Sequence, residues 1–270
     1  MHGRNAAMVR RYFPKYRSPK VIYQALLDQL VRPDTVWLEL GCGKRICADD
    51  QLNVELPRRA RLAVGSDVDP APGGHSSIRN LVRCDAASLP FRSGVFTLVT
   101  CSMVAEHLEH PEKVFAEIAR ICRPDARFVV FTPNLFNYGM MIAAMTPYRF
   151  HLLYKKVMYY FARGEWRGHE EEMFPTWYRA NTVGRLRWLG RRAEFSVERI
   201  ERLSLVHSFG FIGPLYACSL LFERLIDRRW LNFLKADILS VFVKGKRGRT
   251  QVKPSRIRAE VDVPPRAAAV

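Results

Sequence analysis

A glycine-rich turn directly after a short apolar run could hold a small ligand against the main chain. Residues 36–40 read VWLEL, and Gly41, Cys42 and Gly43 follow. Glycines at such a turn let the backbone approach a ligand without an intervening Cβ. The N–H groups at the start of a following helix also favour negative charge. The turn therefore predicts a ligand site at the end of this strand.

Two kinds of ligand fit a turn of this type: a nicotinamide or flavin dinucleotide, and S-adenosylmethionine. The dinucleotide fingerprint G-x-G-x-x-G needs a glycine where Ile46 stands. Glu39 lies two residues before Gly41, where an acid would repel a pyrophosphate but could face the ammonium group of a methionine. These residues favour S-adenosylmethionine over a dinucleotide.

The composition indicates a globular protein with anionic partners. The chain has 270 residues, 48% of them hydrophobic, and a formal net charge of +17. Such an excess of cations favours nucleic acid, acidic lipid headgroups or a phosphorylated substrate. The six cysteines form no C-x-x-C motif, which favours reduced thiols in a cytoplasmic protein. No metal is expected, since Cys42 and Cys47 lack a second pair and residues 169–172 are interpreted as a solvated charge run.

Short apolar strands alternate with helical segments along the first half of the chain. A helix is predicted from Pro19 to near Arg32, and another from Pro111 to just before Arg123. Buried strands are predicted at residues 36–40, 61–67, 80–85, 95–102 and 127–133. This alternation predicts an α/β fold with a doubly wound, mostly parallel sheet, whose ligands bind at the carboxyl ends of the strands.

Beyond Asn134 the pattern changes. A helix is predicted over residues 182–189, ended by Gly190, with further strands at 195–205 and 236–245. The apolar stretch 205–222 is borderline for a membrane span, and the basic N-terminus lacks the apolar core of a secretory signal. The predicted organisation is an N-terminal helical segment (1–34), a ligand-binding core (35–134), an acceptor-site insertion that completes the sheet (135–245), and a basic, disordered tail (246–270).

Five segments resemble, in order, the motifs of the class I S-adenosylmethionine-dependent methyltransferases, within the broad group of small-molecule methyltransferases. The likeness runs from about residue 36 to residue 134. Its segments are LELGCG, VGSDVDP, RCDAASLPF, FTLVTCSMVAEHLEHPEKVFAEIARICRP and ARFVVFTPN. The resemblance implies a seven-stranded Rossmann-like fold, with a helical and aromatic insertion after the fifth strand, and S-adenosylmethionine as cofactor.

The resemblance also implies which residues hold the cofactor. Asp67 takes the place of the acid that binds the ribose hydroxyls. Asp85 takes that of the acid that receives the exocyclic amine of adenine, and the backbone N–H of Ala86 faces the base. The complete predicted cofactor-binding set comprises Glu39, Gly41, Cys42, Gly43, Asp67, Val68, Asp85 and Ala86.

Three positions depart from the family pattern. Arg45 replaces the usual third glycine, Thr97 replaces an aspartate, and residues 124–126 read PDA in place of P-G-G. Thr97 and the PDA turn concern packing and turn geometry. The side chain of Arg45 must instead turn away from the ligand for the first two glycines to keep their role, and an inactive relative is the alternative.

Glu106 and His107 follow the fourth strand and are the predicted catalytic residues. His107 could take a proton from a hydroxyl acceptor, and Glu106 could orient His107 or the substrate. The alternative is that His107 orders a loop or caps the next helix and that Glu106 is a solvated acid. Many methyltransferases need only proximity and desolvation for transfer.

The second half of the chain is expected to form the acceptor site. Apolar stretches after Asn134 and near Phe211 are flanked by cations, which suits either contact with an anionic membrane or ordinary packing against the sheet. Phe174, Trp177, Tyr178 and Arg179 are candidates for a substrate lid or for plain packing.

The sequence thus predicts a methyltransferase acting, through O-methylation, on a small-molecule, glycan or lipid-linked acceptor. It is expected in the cytoplasm, with peripheral contact at the inner membrane face. The alternatives are an RNA methyltransferase, disfavoured because the chain has no separate RNA-binding module, and an inactive scaffold at a membrane surface.

Overall fold

A computed structural model describes residues 9, 11–68, 74–138, 141, 175–206, 213–228 and 230–245. The chain divides into two compact units. One contains Lys20–Thr132, Trp177–Glu201 and Leu239–Val270. The other contains Met1–Pro19, Pro133–Thr176 and Arg202–Ile238. The predicted cofactor-binding and catalytic residues all belong to the first unit.

Seven strands form one sheet in the spatial order β3-β2-β1-β4-β5-β7-β6. They are β1 (Val36–Leu40), β2 (Leu62–Asp67), β3 (Asn80–Arg83), β4 (Phe96–Ser102), β5 (Cys122–Pro133), β6 (Phe195–Leu203) and β7 (Asp237–Lys244). Strands β1 to β5 pair in parallel. The start of β7 meets the end of β5, and its end meets the start of β6, so β7 is antiparallel to both. The predicted α/β fold with a mostly parallel sheet of seven strands is confirmed.

Five helices have both of their ends within the described residues. They are α1 (Pro19–Leu30), α2 (Asp50–Arg59), α3 (Pro111–Ile121), α4 (Val183–Arg192) and α5 (Gly213–Ile226). Two short 3₁₀ turns span Ala105–His107 and Asn232–Leu234. The predicted starts of α1 and α3, each at a proline, are confirmed. Proline is favoured at the first helical position because it has no N–H to leave unsatisfied.

The sequence pattern explains why β1 lies in the interior of the sheet. All five of its residues are buried, as expected for a parallel strand covered on both faces. Farther along the sheet, Phe128 stacks on Phe242 with ring centroids 5.9 Å apart, and Phe115 meets Phe128 edge-on at 5.1 Å. These ring contacts connect α3 with β5 and β7.

Helix α2 was not predicted, although its start is well capped. The Asp49 side chain accepts a hydrogen bond from the Leu52 N–H at 2.9 Å. Asp50 lies in the first turn, and Arg58 and Arg59 lie in the last, so the charges complement the helix dipole. Pro57 within the helix obscures the sequence signal.

Two predicted boundaries are wrong. Helix α4 runs through Gly190 to Arg192 instead of ending there. A Cβ at position 190 would lie 2.7 Å from the Phe242 ring. The glycine therefore serves close packing. Strand β5 begins at Cys122 and not at 127, since Cys122 pairs with Phe96 before the register shifts. Asp125 has φ of 64° and lies in this irregular stretch.

The second unit has its own small apolar cluster. Val9, Val206, Tyr216 and Leu220 are buried together. The Tyr138 hydroxyl bonds the Glu223 carboxylate at 2.8 Å. Most of the predicted aromatic insertion after Asn134 and part of the stretch 205–222 lie outside the described residues. No helix in the described ranges is both long and apolar enough to cross a membrane.

Candidate active site

The parallel register brings the ends of four strands to one edge of the sheet. Leu40 lies opposite Ser66 and Cys101, and Asp67 lies opposite Arg83. The ladder continues past the strands, because the Gly41 N–H donates to the Ser66 carbonyl at 2.7 Å. The turn after β1 and the acid at the end of β2 are therefore neighbours, as predicted.

The glycine turn forms a tight cradle. Gly41 has φ of +65°, and a Cβ there would lie 2.2 Å from Cγ2 of Val104. Gly43 has φ of +48°, and a Cβ there would meet no described atom within 4 Å. The Gly43 N–H donates to Oδ2 of Asp67 at 3.0 Å. Gly41 is thus required by the protein's own packing. Gly43 instead faces open space, and its N–H ties the turn to Asp67.

The remaining predicted nucleoside-binding residues lie on the accessible side of this edge. Asp67 and Ala86 are half-buried, and Val68 and Asp85 are exposed. Oδ1 of Asp85 accepts the Ala87 N–H at 2.8 Å, which fixes the carboxylate at the start of a turn. Both acids are fixed by backbone N–H groups and remain accessible to a ligand with hydroxyl or amine donors.

The side chain of Arg45 folds onto its own loop. Its Nε donates to the Cys47 carbonyl at 3.2 Å and its Nη2 to the Ala48 carbonyl at 3.2 Å. The guanidinium also pairs with Asp50 at the start of α2. The Arg45 side chain is therefore bonded to its own loop. This agrees with the prediction that the side chain turns away from the glycines.

Glu39 lies beneath the turn and is only 2% exposed. Its carboxylate is hydrogen-bonded to the hydroxyl of Thr100. That hydroxyl also accepts the indole N–H of Trp37 at 2.6 Å. Burial raises the pKa of Glu39 to about 8, and the Thr100 hydrogen bond opposes that rise. A buried carboxyl of this kind favours a cationic group next to it.

The raised pKa of Glu39 predicts a pH-dependent stability. The unfolded chain ionises Glu39 near the ordinary value of 4.5 and the folded chain near 8, so this residue lowers the free energy of unfolding as pH rises between those values. We expect Glu39→Gln to flatten that decline. Urea denaturation of the wild type and the variant at several pH values measures the free energy of unfolding. An equal decline with pH in the two proteins would contradict the burial of Glu39.

Tyr23 on α1 is a candidate site residue that the sequence analysis missed. Its side chain is 3% exposed and its ring stacks on Phe131 with centroids 5.2 Å apart. Its hydroxyl lies near Thr100 and Glu39 but makes no hydrogen bond of normal geometry among the described residues. Burial raises the pKa of this phenol well above its usual value. Only the helical repeat of Ile22, Leu26 and Leu30 is visible in the sequence, and it gives no signal for the neighbouring tyrosine.

The predicted catalytic pair lies on the 3₁₀ turn after β4, but its two members differ in environment. Glu106 is buried, and its Oε2 accepts the Thr132 hydroxyl at 3.0 Å. The Asn181 side-chain amide in turn donates to Thr132 at 2.8 Å. Burial raises the pKa of Glu106. His107, in contrast, is half-buried on the same turn.

Part of the predicted lid attaches to this turn through its backbone. The N–H groups of Trp177 and Tyr178 both donate to the Glu106 carbonyl, at 2.8 and 3.1 Å. Arg179 donates to the Glu109 carbonyl at 2.6 Å, and its guanidinium lies over the Trp177 ring at 4.8 Å. Tyr178 has φ of 51°, a constrained conformation for a non-glycine residue. Phe174 lies outside the described residues.

The described residues include no cluster of three or more histidine, cysteine or acidic side chains suited to a metal. Cys42 and Cys47 are buried, and burial raises the pKa of each thiol to about 12. Residues 169–172 lie outside the described part of the chain.

Comparison with known sequences supports the same interpretation. Residues 38–130 match the family model described as a methyltransferase domain. A protein of Mycolicibacterium smegmatis, described as a probable S-adenosylmethionine-dependent methyltransferase, is 31% identical over 128 residues, which cover 46% of this chain and 47% of that protein. A similarly described protein of Mycobacterium tuberculosis is 28% identical over 128 residues, covering 46% and 44%. The aligned part spans less than half the length of each relative.

A solved structure shows the same fold. Geranyl diphosphate C-methyltransferase from Streptomyces coelicolor aligns with a TM-score of 0.50 and 12% identity, covering 83% of this chain and 80% of that one. The family match covers the glycine turn, both acids and the His107 turn together. Residues 38–130, which contain these site residues, are therefore similar to the methyltransferase domain family, on a fold shared with a solved methyltransferase.

Proposed function

We propose that this protein transfers the methyl group of S-adenosylmethionine to a hydroxyl of a small-molecule, glycan or lipid-linked acceptor. One observation carries the proposal: the Gly43 N–H bonds Oδ2 of Asp67 at 3.0 Å. This contact joins the glycine cradle to the acid that would accept the ribose hydroxyls. The resulting edge presents bare backbone and accessible carboxylates to a cationic nucleoside.

The residues present fit the cofactor. A Cβ at Gly41 would collide with the Val104 side chain, whereas the space beside Gly43 is open to a ligand. Asp67 suits the ribose hydroxyls because a carboxylate accepts two donors, and Asp85 suits the amine of adenine. Glu39, beneath the turn, suits the methionine ammonium. Together these groups would hold the three parts of the cofactor.

The chemical role of the protein is mainly alignment. S-adenosylmethionine, when bound, supplies a methyl group already activated by a sulfonium. The chain must place an acceptor oxygen in line with that methyl and exclude water. His107, at the carboxyl end of β4, can accept the hydroxyl proton. Glu106 acts as a positioning residue, since its carbonyl holds Trp177 and Tyr178 and its carboxyl bonds Thr132.

Tritium transfer into fractionated cell extract tests the proposal. Labelled S-adenosylmethionine is supplied, and incorporation is counted separately in lipid, glycan, small-molecule, RNA and protein pools. We expect label in the lipid, glycan or small-molecule pool. Label confined to RNA would instead establish the RNA methyltransferase, and failure of the pure protein to bind S-adenosylmethionine in calorimetry would establish the inactive scaffold.

A membrane-associated acceptor is supported by one surface of the second unit. Helix α5 exposes Leu221 and Leu225, which line a shallow pocket together with Arg224 and Arg228. Apolar side chains bordered by cations suit an anionic lipid surface. The extract assay repeated with added vesicles of anionic phospholipid tests this point. Faster labelling of lipid with anionic than with neutral vesicles is expected, and equal rates would contradict it.

Replacing His107 tests the assigned base. We expect His107→Gln to lower the rate of transfer into the labelled pool by about 10²-fold or more while leaving S-adenosylmethionine affinity unchanged, because a general base acts on the acceptor and not on the cofactor. His110→Gln is the matched control, since His110 is exposed just before α3. Equal loss in both variants, or none in either, would remove His107 from the mechanism.

A further inference from the structure

A second concave site lies at the opposite edge of the sheet. A cavity of about 470 Å³ is lined by the end of α2, the first residues of β2 and the segment that leads into β3. Leu62 and Asn80 open their strands, whereas Asp67 lies at the carboxyl end of β2 and Asp85 just after β3. Because these strands are parallel, the cavity is separate from the proposed cofactor site.

Among the described residues, the cavity lining carries three positive charges and no acid. Arg58, Arg61 and Arg79 contribute to the lining, which contains no aspartate or glutamate. Within the described ranges, none of the three guanidinium groups makes a hydrogen bond or an ion pair. Their neighbour Arg59 differs, because it donates to the carbonyl and the carboxylate of Asp28 at 3.0 and 2.7 Å. Among the described residues, Arg59 is therefore paired, whereas the three arginines at the cavity are not.

His75 also lines the cavity. Its Nδ1 accepts the N–H groups of Ser77 and Ile78, each at 3.0 Å. The neutral ring therefore carries its proton on Nε2. That atom is buried and has no partner among the described residues. Burial lowers the pKa of His75, which keeps the ring neutral.

We propose that this cavity binds the phosphate or diphosphate group of a small soluble molecule. Guanidinium groups match phosphate oxygens with paired hydrogen bonds, so Arg58, Arg61 and Arg79 are the expected contacts. The volume falls within the range of about 300–1,000 Å³ typical of small-molecule sites. A local cavity also differs from the extended basic track that a nucleic acid requires.

Calorimetric titration of the full chain with sodium pyrophosphate, at constant ionic strength, tests the proposal. We expect saturable binding with Kd of about 1 mM or tighter. The double variant Arg61→Gln/Arg79→Gln is expected to weaken binding about tenfold or more, because two charged contacts are lost. Arg92→Gln is the control, since Arg92 is exposed outside the cavity. Absence of saturable heat in the wild type, or equal affinity in the double variant, would overturn the proposal.

Two further measurements keep the test decisive. In the wild type, NMR signals of the His75 ring should shift with pyrophosphate at the same midpoint, and an unshifted ring would place the anion elsewhere. A short single-stranded RNA is titrated in parallel. RNA binding that pyrophosphate displaces and the double variant loses would assign the cavity to nucleic acid and refute the small ligand. Because these probes contain no S-adenosylmethionine, failure here leaves the proposed methyl transfer unaffected.

Discussion

Replacing Asp67 with alanine is expected to weaken S-adenosylmethionine binding about 100-fold or more. Two ribose hydroxyls would lose a charged acceptor, and each such hydrogen bond contributes about 1.5–3 kcal/mol. A change of about 1.4 kcal/mol corresponds to a factor of ten in affinity. The Gly43 N–H would also lose its acceptor, so the turn would be held less firmly. Isothermal titration with S-adenosylmethionine measures the loss.

Two matched variants separate the contributions of Asp67. Asp67→Asn keeps an oxygen that can accept the Gly43 N–H but removes the charge, so its affinity should lie between those of the wild type and the alanine variant. Asp34→Ala changes an exposed acid on the turn before β1 and should bind normally. Wild-type affinity in Asp67→Ala would show that the nucleoside does not lie at the end of β2.

Replacing Gly41 with alanine is expected to lower the free energy of unfolding by about 3 kcal/mol or more. The new Cβ would lie 2.2 Å from Cγ2 of Val104, and Gly41 has φ of +65°. Overpacking typically costs about 1–3 kcal/mol, and a left-handed conformation costs a β-carbon-bearing residue roughly 1–2 kcal/mol more. Urea denaturation measures the total loss.

Gly94 provides the control for backbone strain. It has φ of +67°, and a Cβ added there would meet nothing within 4 Å, so Gly94→Ala carries the strain without the clash. Gly41→Ala should therefore be clearly the more destabilising of the two. Adding Val104→Ala to Gly41→Ala should recover part of the loss, since it removes the clashing methyl groups. Equal destabilisation of the two single variants would refute the steric role of Gly41.

The sequence was most informative where function depends on local pattern. Residues 36–43 combine a buried strand with a glycine turn, so both the strand and the turn could be predicted before any contact was known. Asp67 and Asp85 each follow a short apolar run, and parallel strands bring such ends to one edge. Arg45 could likewise be expected to turn away, because the two glycines before it need an open side.

Contacts between distant residues could not be predicted in this way. Thr100 bonds the Glu39 carboxylate across 61 positions, and Asn181 reaches Thr132 across 49. No local periodicity encodes such pairs. For this reason, the sequence left Glu106 as either a catalytic or a solvated acid, whereas the structure shows it buried against Thr132.

Packing and capping also overrode local rules at two sites that contain glycine or proline. Gly190 is predicted to end α4, but the nearby Phe242 ring requires a residue without a Cβ inside the helix. Proline disfavours a helix interior, yet α2 forms from its Asp49 cap onward and includes Pro57. In both cases a tertiary contact or a cap outweighed the intrinsic preference of one residue.

The central claim is that the carboxyl edge of this sheet binds S-adenosylmethionine through the turn after β1 and the acids after β2 and β3. A crystal structure of the full chain with S-adenosylhomocysteine tests it most directly. The account predicts the ribose hydroxyls at Asp67, the adenine amine at Asp85 and the amino-acid end beside Gly41 and Gly43. A nucleoside bound elsewhere, with the Arg45 side chain in the cleft beside those glycines, would contradict it.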